Sequence, residues 1–264
     1  MRAHLVQLDI AWEQPGTNHE KVRQLLDAAP VEPGDLVVLP EMFDTGFSMR
    51  TEETADTGAT VAFLIELAED LGVTVQGGRT VSPCHACKAY NVMTTIGPPR
   101  EGRPARLLSE FRKVHLFPLG EEKQKIEGGR EVDTYVWHGP GGELRVCPAI
   151  CYDLRFPELF RRGLGLGAEL FALGACWLEG RHAHWKPLLV ARAIENQAFV
   201  LGVNRTGRDP NSRYLGGSVV IGPKGEVLGE LGEAEGVLSV EIDPAEVRSW
   251  REKFPAWRDR VMGV

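Results

Sequence analysis

What most narrows the fold of this chain is the alternation, from end to end, of short apolar runs with amphipathic stretches. Leu36-Val37-Val38-Leu39 is too short for a buried helix and is stopped by Pro40, so it reads as a strand covered on both faces. Residues 73–76, 90–96, 105–111, 132–137, 144–150, 169–173, 198–203, 218–221, 227–230 and 237–242 read as further strands. Residues 2–9 alternate, as an edge or half-buried strand would. Between them, residues 18–29 carry Val22, Leu25 and Leu26 at helical spacing, and residues 61–71 form a second helix closed by Gly72. Pro157 is placed to open another helix, and residues 185–197 make one with a strong apolar face. Pro223-Lys224-Gly225-Glu226 reads as a hairpin turn. The pattern is α/β, with helices covering sheet faces. It contains no repeat, low-complexity tract or linker, so residues 1–264 are expected to form one domain. Within it, the aromatic tail 244–264, with Trp250, Phe254 and Trp257, is expected to dock on the body or on a partner subunit.

Charge and composition exclude some partners. A formal net charge of -7 argues against nucleic-acid binding, which needs a basic footprint. No stretch reaches the roughly 18 apolar residues that span a bilayer, and the first residues lack the apolar core of an export signal. Five cysteines, an odd number, then suit a reduced, cytoplasmic protein.

Three reactive groups stand where expected strands end. Glu41 follows the apolar run directly, at a sheet edge where clefts form. Partly desolvated there, it could serve as a general base, although alone it reads equally as a surface residue opening a loop. Lys113, in Phe111-Arg112-Lys113-Val114-His115-Leu116-Phe117, shares a face with His115 if that stretch is extended. Its ammonium could hold an oxyanion, but in isolation an exposed basic strand end fits as well, and His115 is given no role. Cys151 ends the strand 144–150 and is followed by Tyr152-Asp153-Leu154-Arg155-Phe156-Pro157. That strand–turn–helix context is a nucleophile elbow, in which the N–H of Tyr152 can help hold an oxyanion; a single cysteine is otherwise commonly an inert buried residue. Together a thiol, a proton acceptor and a fixed cation are the parts that hydrolysis of a carboxamide requires.

These segments resemble the nitrilase superfamily of carbon–nitrogen hydrolases, in the family's order, from the first strand to about Val240. The residues carrying the likeness are Pro40-Glu41-Met42, Arg112-Lys113-Val114-His115-Leu116-Phe117 and Ile150-Cys151-Tyr152-Asp153-Leu154-Arg155-Phe156-Pro157. Ala191-Arg192-Ala193-Ile194-Glu195-Asn196-Gln197 is similar to the family's later helix, and Gly216-Gly217-Ser218-Val219-Val220-Ile221-Gly222-Pro223-Lys224-Gly225-Glu226 to its closing hairpin. The resemblance implies a four-layer α-β-β-α sandwich and a Glu-Lys-Cys triad. Glu41 would be the general base, Lys113 the stabiliser of the tetrahedral intermediate and Cys151 the nucleophile. A further glutamate ahead of Gly129 would orient Lys113. Glu122 fits that place, with Glu121 one residue away. No metal or organic cofactor is implied.

The residues after Cys151 look like the amidase branch that contains the omega-amidases, which act on ω-amides of 2-oxo dicarboxylates such as 2-oxoglutaramate. The loop Pro40-Glu41-Met42-Phe43-Asp44-Thr45-Gly46-Phe47-Ser48-Met49 and His184-Trp185 are similar to that subgroup too. A substrate carboxylate would call for a fork-shaped cation. Arg155 and Arg205 are both candidates, and each serves equally as a structural ion-pair partner. Phe43, Phe47, Tyr152 and Trp177 are expected to line a small pocket. Other amide or N-carbamoyl hydrolases and nitrilases of the superfamily are alternatives. A metal-dependent phosphodiesterase of similar sandwich fold is more distant, because its Gly-Asp-x-Asn and Asp-His motifs are absent.

Cys84-His85-Ala86-Cys87 has no second ligand pair and reads as a hairpin loop with two ordinary thiols rather than a zinc site. Cys147 and Cys176 read as core or pocket-wall residues. The family likeness implies a homodimer, with residues 164–173 and the tail 250–257 as candidate contacts.

Overall fold

The computed structural model describes residues 1–84, 87–100 and 102–261. The first part of the chain supplies β1 (Arg2–Gln7), β2 (Leu36–Val38), β3 (Thr74–Val81), β4 (Tyr90–Gly97) and β5 (Arg106–Arg112). The rest supplies β6 (Tyr135–Gly139), β7 (Gly142–Ile150), β8 (Leu170–Ala175), β9 (Phe199–Asn204), β10 (Thr206–Arg208), β11 (Arg213–Leu215), β12 (Val219–Ile221), β13 (Val227–Glu230) and β14 (Gly236–Glu241). One sheet runs β14-β1-β2-β3-β4-β5 and the other β13-β12-β9-β8-β7-β6, while β10 and β11 pair only with each other.

The two sheets face each other. Leu5 and Val38 from the first meet Trp137, Val146 and Leu201 from the second, all fully buried. Each such side chain contributes about 1.5–3 kcal/mol by leaving water. A few polar groups bridge this layer: the Tyr135 hydroxyl donates to Gln76 Oε1, and Gln76 Nε2 donates to the Ala172 carbonyl.

The helices are α1 (Pro15–Asp27), α2 (Thr51–Thr54), α3 (Ala59–Leu71), α4 (Glu122–Lys125), α5 (Pro157–Gly165), α6 (His182–Asn196) and α7 (Pro244–Lys253). Val22 and Leu26 of α1 and Leu64 and Leu67 of α3 cover the outer face of the first sheet. Leu159 and Phe160 of α5 and Trp185 and Leu189 of α6 cover the second. The result is the α-β-β-α sandwich. As the sequence suggests, α3 stops where Gly72 takes the left-handed conformation, at φ 67°.

Two expectations change. β1 is not an edge: β14 pairs with it antiparallel from Arg2 opposite Glu241 to Gln7 opposite Gly236, while β2 lies on its other side. Alternation reports which face of a strand is buried, but edges are decided by partners far away in sequence. Likewise the apolar residues of 164–173 are not surface: Leu164, Leu170, Phe171, Ala172 and Leu173 are buried in the core, and only Leu166 among the leucines there is exposed. The tail lies on the body through Arg251, whose Nε donates to the Gln197 carbonyl, and through Gln197 Nε2, which donates to the Phe254 carbonyl.

β1, β2 and β3 are parallel, as are β7, β8 and β9, so the segments after β2 and β7 leave carboxyl ends of central strands. The segment 39–42 is then pinched between two strands. A Cβ on Gly78 of β3 would fall 2.6 Å from the Met42 amide nitrogen and 2.7 Å from Glu41 Cα. One on Gly174 of β8 would fall 2.7 Å from the Leu39 carbonyl oxygen. Only glycine lets the backbones come this close. Gly78→Ala should therefore push Glu41 out of place, lowering stability by about 1–3 kcal/mol in denaturant unfolding and reducing activity more than that loss explains.

Candidate functional site

Glu41 is held before its side chain is considered. Leu39 N–H donates to the Gln76 carbonyl and Phe43 N–H to the Gly78 carbonyl, so the segment beyond β2 keeps pairing with β3. Met42 has φ 44°, a left-handed conformation that turns the chain there. The Glu41 carboxylate is completely buried.

Lys113 follows β5. Its N–H donates to the Asn91 carbonyl on β4, and its ammonium reaches Glu41 Oε1 at 2.8 Å and Glu122 Oε1 at 2.8 Å. All three charged side chains are sealed from solvent. Glu122 opens α4 and also accepts from the Phe117 N–H, whereas Glu121 is exposed. Of the two glutamates it is Glu122 whose carboxylate meets Lys113.

Asn91 was not picked out from sequence. Its Nδ2 donates to Glu41 Oε1 at 2.7 Å and to Glu122 Oε1 at 3.3 Å. An amide buried in a central strand is costly unless it is paired, and that was the available signal. The other oxygen of Glu41 accepts from the Cys176 N–H at 2.9 Å.

Cys151 starts a 3-10 turn, Cys151–Arg155, at the end of β7, with φ 43°. Strain of this kind at a strand–turn–helix junction is what a nucleophile elbow stores. Asp153 fixes the turn: it accepts from the Ile150 N–H at 3.1 Å and from the His115 N–H at 2.8 Å, and its Oδ1 also meets His115 Nδ1. The His115 ring stacks on Phe156, centroids 3.7 Å apart, so this histidine braces the turn.

Electrostatics separate the groups. Burial pushes the Lys113 ammonium down, but the charges of Glu122, Glu41 and Cys151 together hold it well above its usual value. Glu122 is raised, first by burial, with Lys113 pulling it back and Glu41 pushing it further up. The Cys151 thiol is raised by burial and then by Glu41, against Lys113. At rest the sulfur therefore keeps its proton beside a carboxylate. Such a pair can generate a thiolate only as the sulfur attacks, with the proton passing to the carboxylate.

Cys151, Lys113, Tyr152, Arg155, Phe47, Trp177, Cys176, Phe117, Leu178 and Arg181 line one cavity. Phe47, Tyr152, Arg155 and Trp177 thus border the same cavity as Cys151. Phe43 does not. It is fully buried under the first sheet against Phe63 and His19, because its side chain turns to the helix face of the sheet. Arg205 is also elsewhere: it is buried over the Tyr214 ring and donates to the carbonyls of Thr206 and Ile10. Phe117, Leu178 and Arg181 were missed, since nothing local in their segments marks a cavity wall.

Among the described residues no group of three or more His, Cys, Asp or Glu side chains gathers to hold a metal. Cys84 and Cys87, read as ordinary thiols, are joined as a disulfide with Cα atoms 5.3 Å apart, a separation the β3–β4 turn makes possible. His85 and Ala86 between them lie outside the described residues.

The loop carrying Glu41 and Phe47 also holds a titrating anchor. Asp44 is pushed up from 3.8 to about 7, chiefly by burial, against a hydrogen bond from the Thr60 hydroxyl. Since the folded state holds this proton more tightly than the unfolded chain, the stabilisation is complete below pH 3.8 and is lost as pH rises through about 7. Asp44→Asn should remove that dependence. Its advantage over the wild type in thermal unfolding should be larger at about pH 8 than at about pH 5.

With this geometry in hand, the sequence profile of the carbon–nitrogen hydrolase family matches residues 2–252. The 2-oxoglutaramate amidase of Bacillus subtilis is 35% identical over 257 residues, covering 96% of this chain and 95% of that one. Omega-amidase YafV of Escherichia coli K12 is 32% identical over 266 residues, covering 98% and 96%. The crystal structure of a CN-hydrolase superfamily protein from Xanthomonas campestris superposes with a TM-score of 0.88 at 34% identity, over 100% of this chain and 98% of that one.

Proposed function

The chain belongs to the carbon–nitrogen hydrolase family and acts on amides other than peptide bonds, and from that premise we propose that its substrate is the ω-amide of a 2-oxo dicarboxylate such as 2-oxoglutaramate. The observation that carries the reading is a buried Glu41–Lys113–Glu122 ion cluster beside a thiol, Cys151, that opens on a cavity with arginine at its wall.

In this reading Cys151 Sγ attacks the amide carbon while its proton passes to Glu41. The carbonyl oxygen takes the negative charge and is held by the Lys113 ammonium and the Tyr152 N–H. Glu41 then hands the proton to the amide nitrogen, the C–N bond breaks, and ammonia leaves a thioester on Cys151. A water gives a proton to Glu41 and attacks the thioester carbon. When the C–S bond breaks, the proton returns to sulfur and the carboxylic acid product departs. Glu122 orients Lys113 throughout. Arg155 faces the substrate carboxylate, and Phe47, Tyr152 and Trp177 enclose the aliphatic segment.

Purified protein should release ammonia from 2-oxoglutaramate, and Cys151→Ala should lower the rate by at least about a thousandfold, since the covalent route is removed. Wild-type-like turnover by that variant would reject the nucleophile, and faster turnover of a nitrile than of the amide would reject the amidase branch.

The reading includes a homodimer in the cytoplasm. Ile194 and Phe254, 53% and 54% exposed, line one groove between α6 and the tail, two apolar side chains suited to burial against a second copy. Sedimentation at the mass of a single chain would reject the dimer.

A further inference from the structure

Two guanidinium groups enter the reactive cavity from different elements, and neither meets a carboxylate among the described residues. Arg155 ends the turn that begins at Cys151. Its Cζ lies 4.8 Å from the centre of the Trp177 ring, and its Nη2 stands 3.3 Å from His184 Nδ1. Arg181 ends the 3-10 turn Glu179–Arg181 that leads into α6, and its Cζ lies 5.4 Å from the centre of the Phe117 ring. The neighbouring cations behave differently: Lys186 pairs with Glu230, Arg192 with Glu195 and Arg213 with Glu179. Each guanidinium presents five N–H donors, and holding two like charges about one small cavity costs energy that a bound anion would relieve.

The position of Arg181 is built. Its own carbonyl accepts the indole N–H of Trp177 at 2.8 Å, which ties the turn to a cavity wall through backbone and leaves the side chain uncommitted. The third cation of the cavity, Lys113, is already engaged by two carboxylates. Arg155 and Arg181 are therefore the cations in this cavity available to a ligand.

We propose that Arg181 is a second anion anchor that acts with Arg155 on the far end of the substrate and selects 2-oxo acids there. A 2-oxo carboxylate offers three oxygen acceptors in one plane, enough for two guanidinium forks. A neutral end offers too few, and a 2-ammonio carboxylate would set a third positive charge between two arginines. The inference rests on the substrate class proposed above and adds the residue that enforces it.

The test compares kcat/KM for 2-oxoglutaramate with that for an amide of the same length ending in a neutral methyl ester, and with that for glutamine. Wild type should favour 2-oxoglutaramate. Arg181→Ala should lower the oxo-acid to neutral ratio about tenfold, with the loss falling on KM rather than kcat, and Arg181→Lys should recover part of it. Discrimination against glutamine should weaken in step. Thermal unfolding of Arg181→Ala and Arg181→Gln provides a check on folding, and one well-folded variant suffices. A wild type without preference for the oxo acid overturns the substrate class itself. A wild-type preference that Arg181→Ala and Arg181→Gln leave intact overturns the role of Arg181 alone.

Discussion

The structure turns on one ammonium held between two carboxylates where water does not reach. Lys113 meets Glu41 and Glu122 at 2.8 Å each, and none of the three side chains is exposed. Taking three charges out of water costs several kcal/mol per ion, and their attraction offsets this only when geometry is good and the remaining lone pairs are satisfied. Asn91, the Cys176 N–H and the Phe117 N–H do that here. Removing Lys113 would leave two buried carboxylates facing each other without a counter-charge. The cluster is therefore weak as a source of stability and strong as a constraint on where β2, β4, β5, α4 and the end of β8 must sit relative to one another.

That constraint explains features that look unrelated along the chain. Burial raises the Cys151 thiol first, and the neighbouring Glu41 raises it further against the pull of Lys113. The glycines at 78 and 174 let strands of both sheets close on the backbone of Glu41. Asp153 ties the nucleophile turn to the segment just beyond Lys113, so the cation and the sulfur are fixed by the same short piece of chain. An electrostatic site with such preorganised charges spends little on rearrangement when charge develops on a substrate.

The mouth of the cavity is organised on a different principle. Its walls are aromatic, from Phe47, Phe117, Tyr152 and Trp177, and its charges are guanidiniums lying over those rings. Rings support cations without neutralising them. The buried end is a closed set of charges, and the open end is a set awaiting an anion.

Period and punctuation along the chain determined the α/β class, most of the central strands and the helices stopped by Gly72 or opened by Pro157, because burial of a face imprints a repeat of two or of three to four on neighbouring residues. Motif likeness marked Glu41, Lys113 and Cys151. Tertiary structure alone decided that β14 covers β1, that Glu122 and not Glu121 faces Lys113, that Asn91 completes the cluster, and that Arg181 rather than Arg205 borders the cavity. Phe43 and Phe47 show the reason most plainly. They are the same residue type in one loop, four positions apart, yet one packs under a helix and the other walls the cavity. Side-chain direction in an irregular loop depends on contacts from distant parts of the chain, and no local period records it.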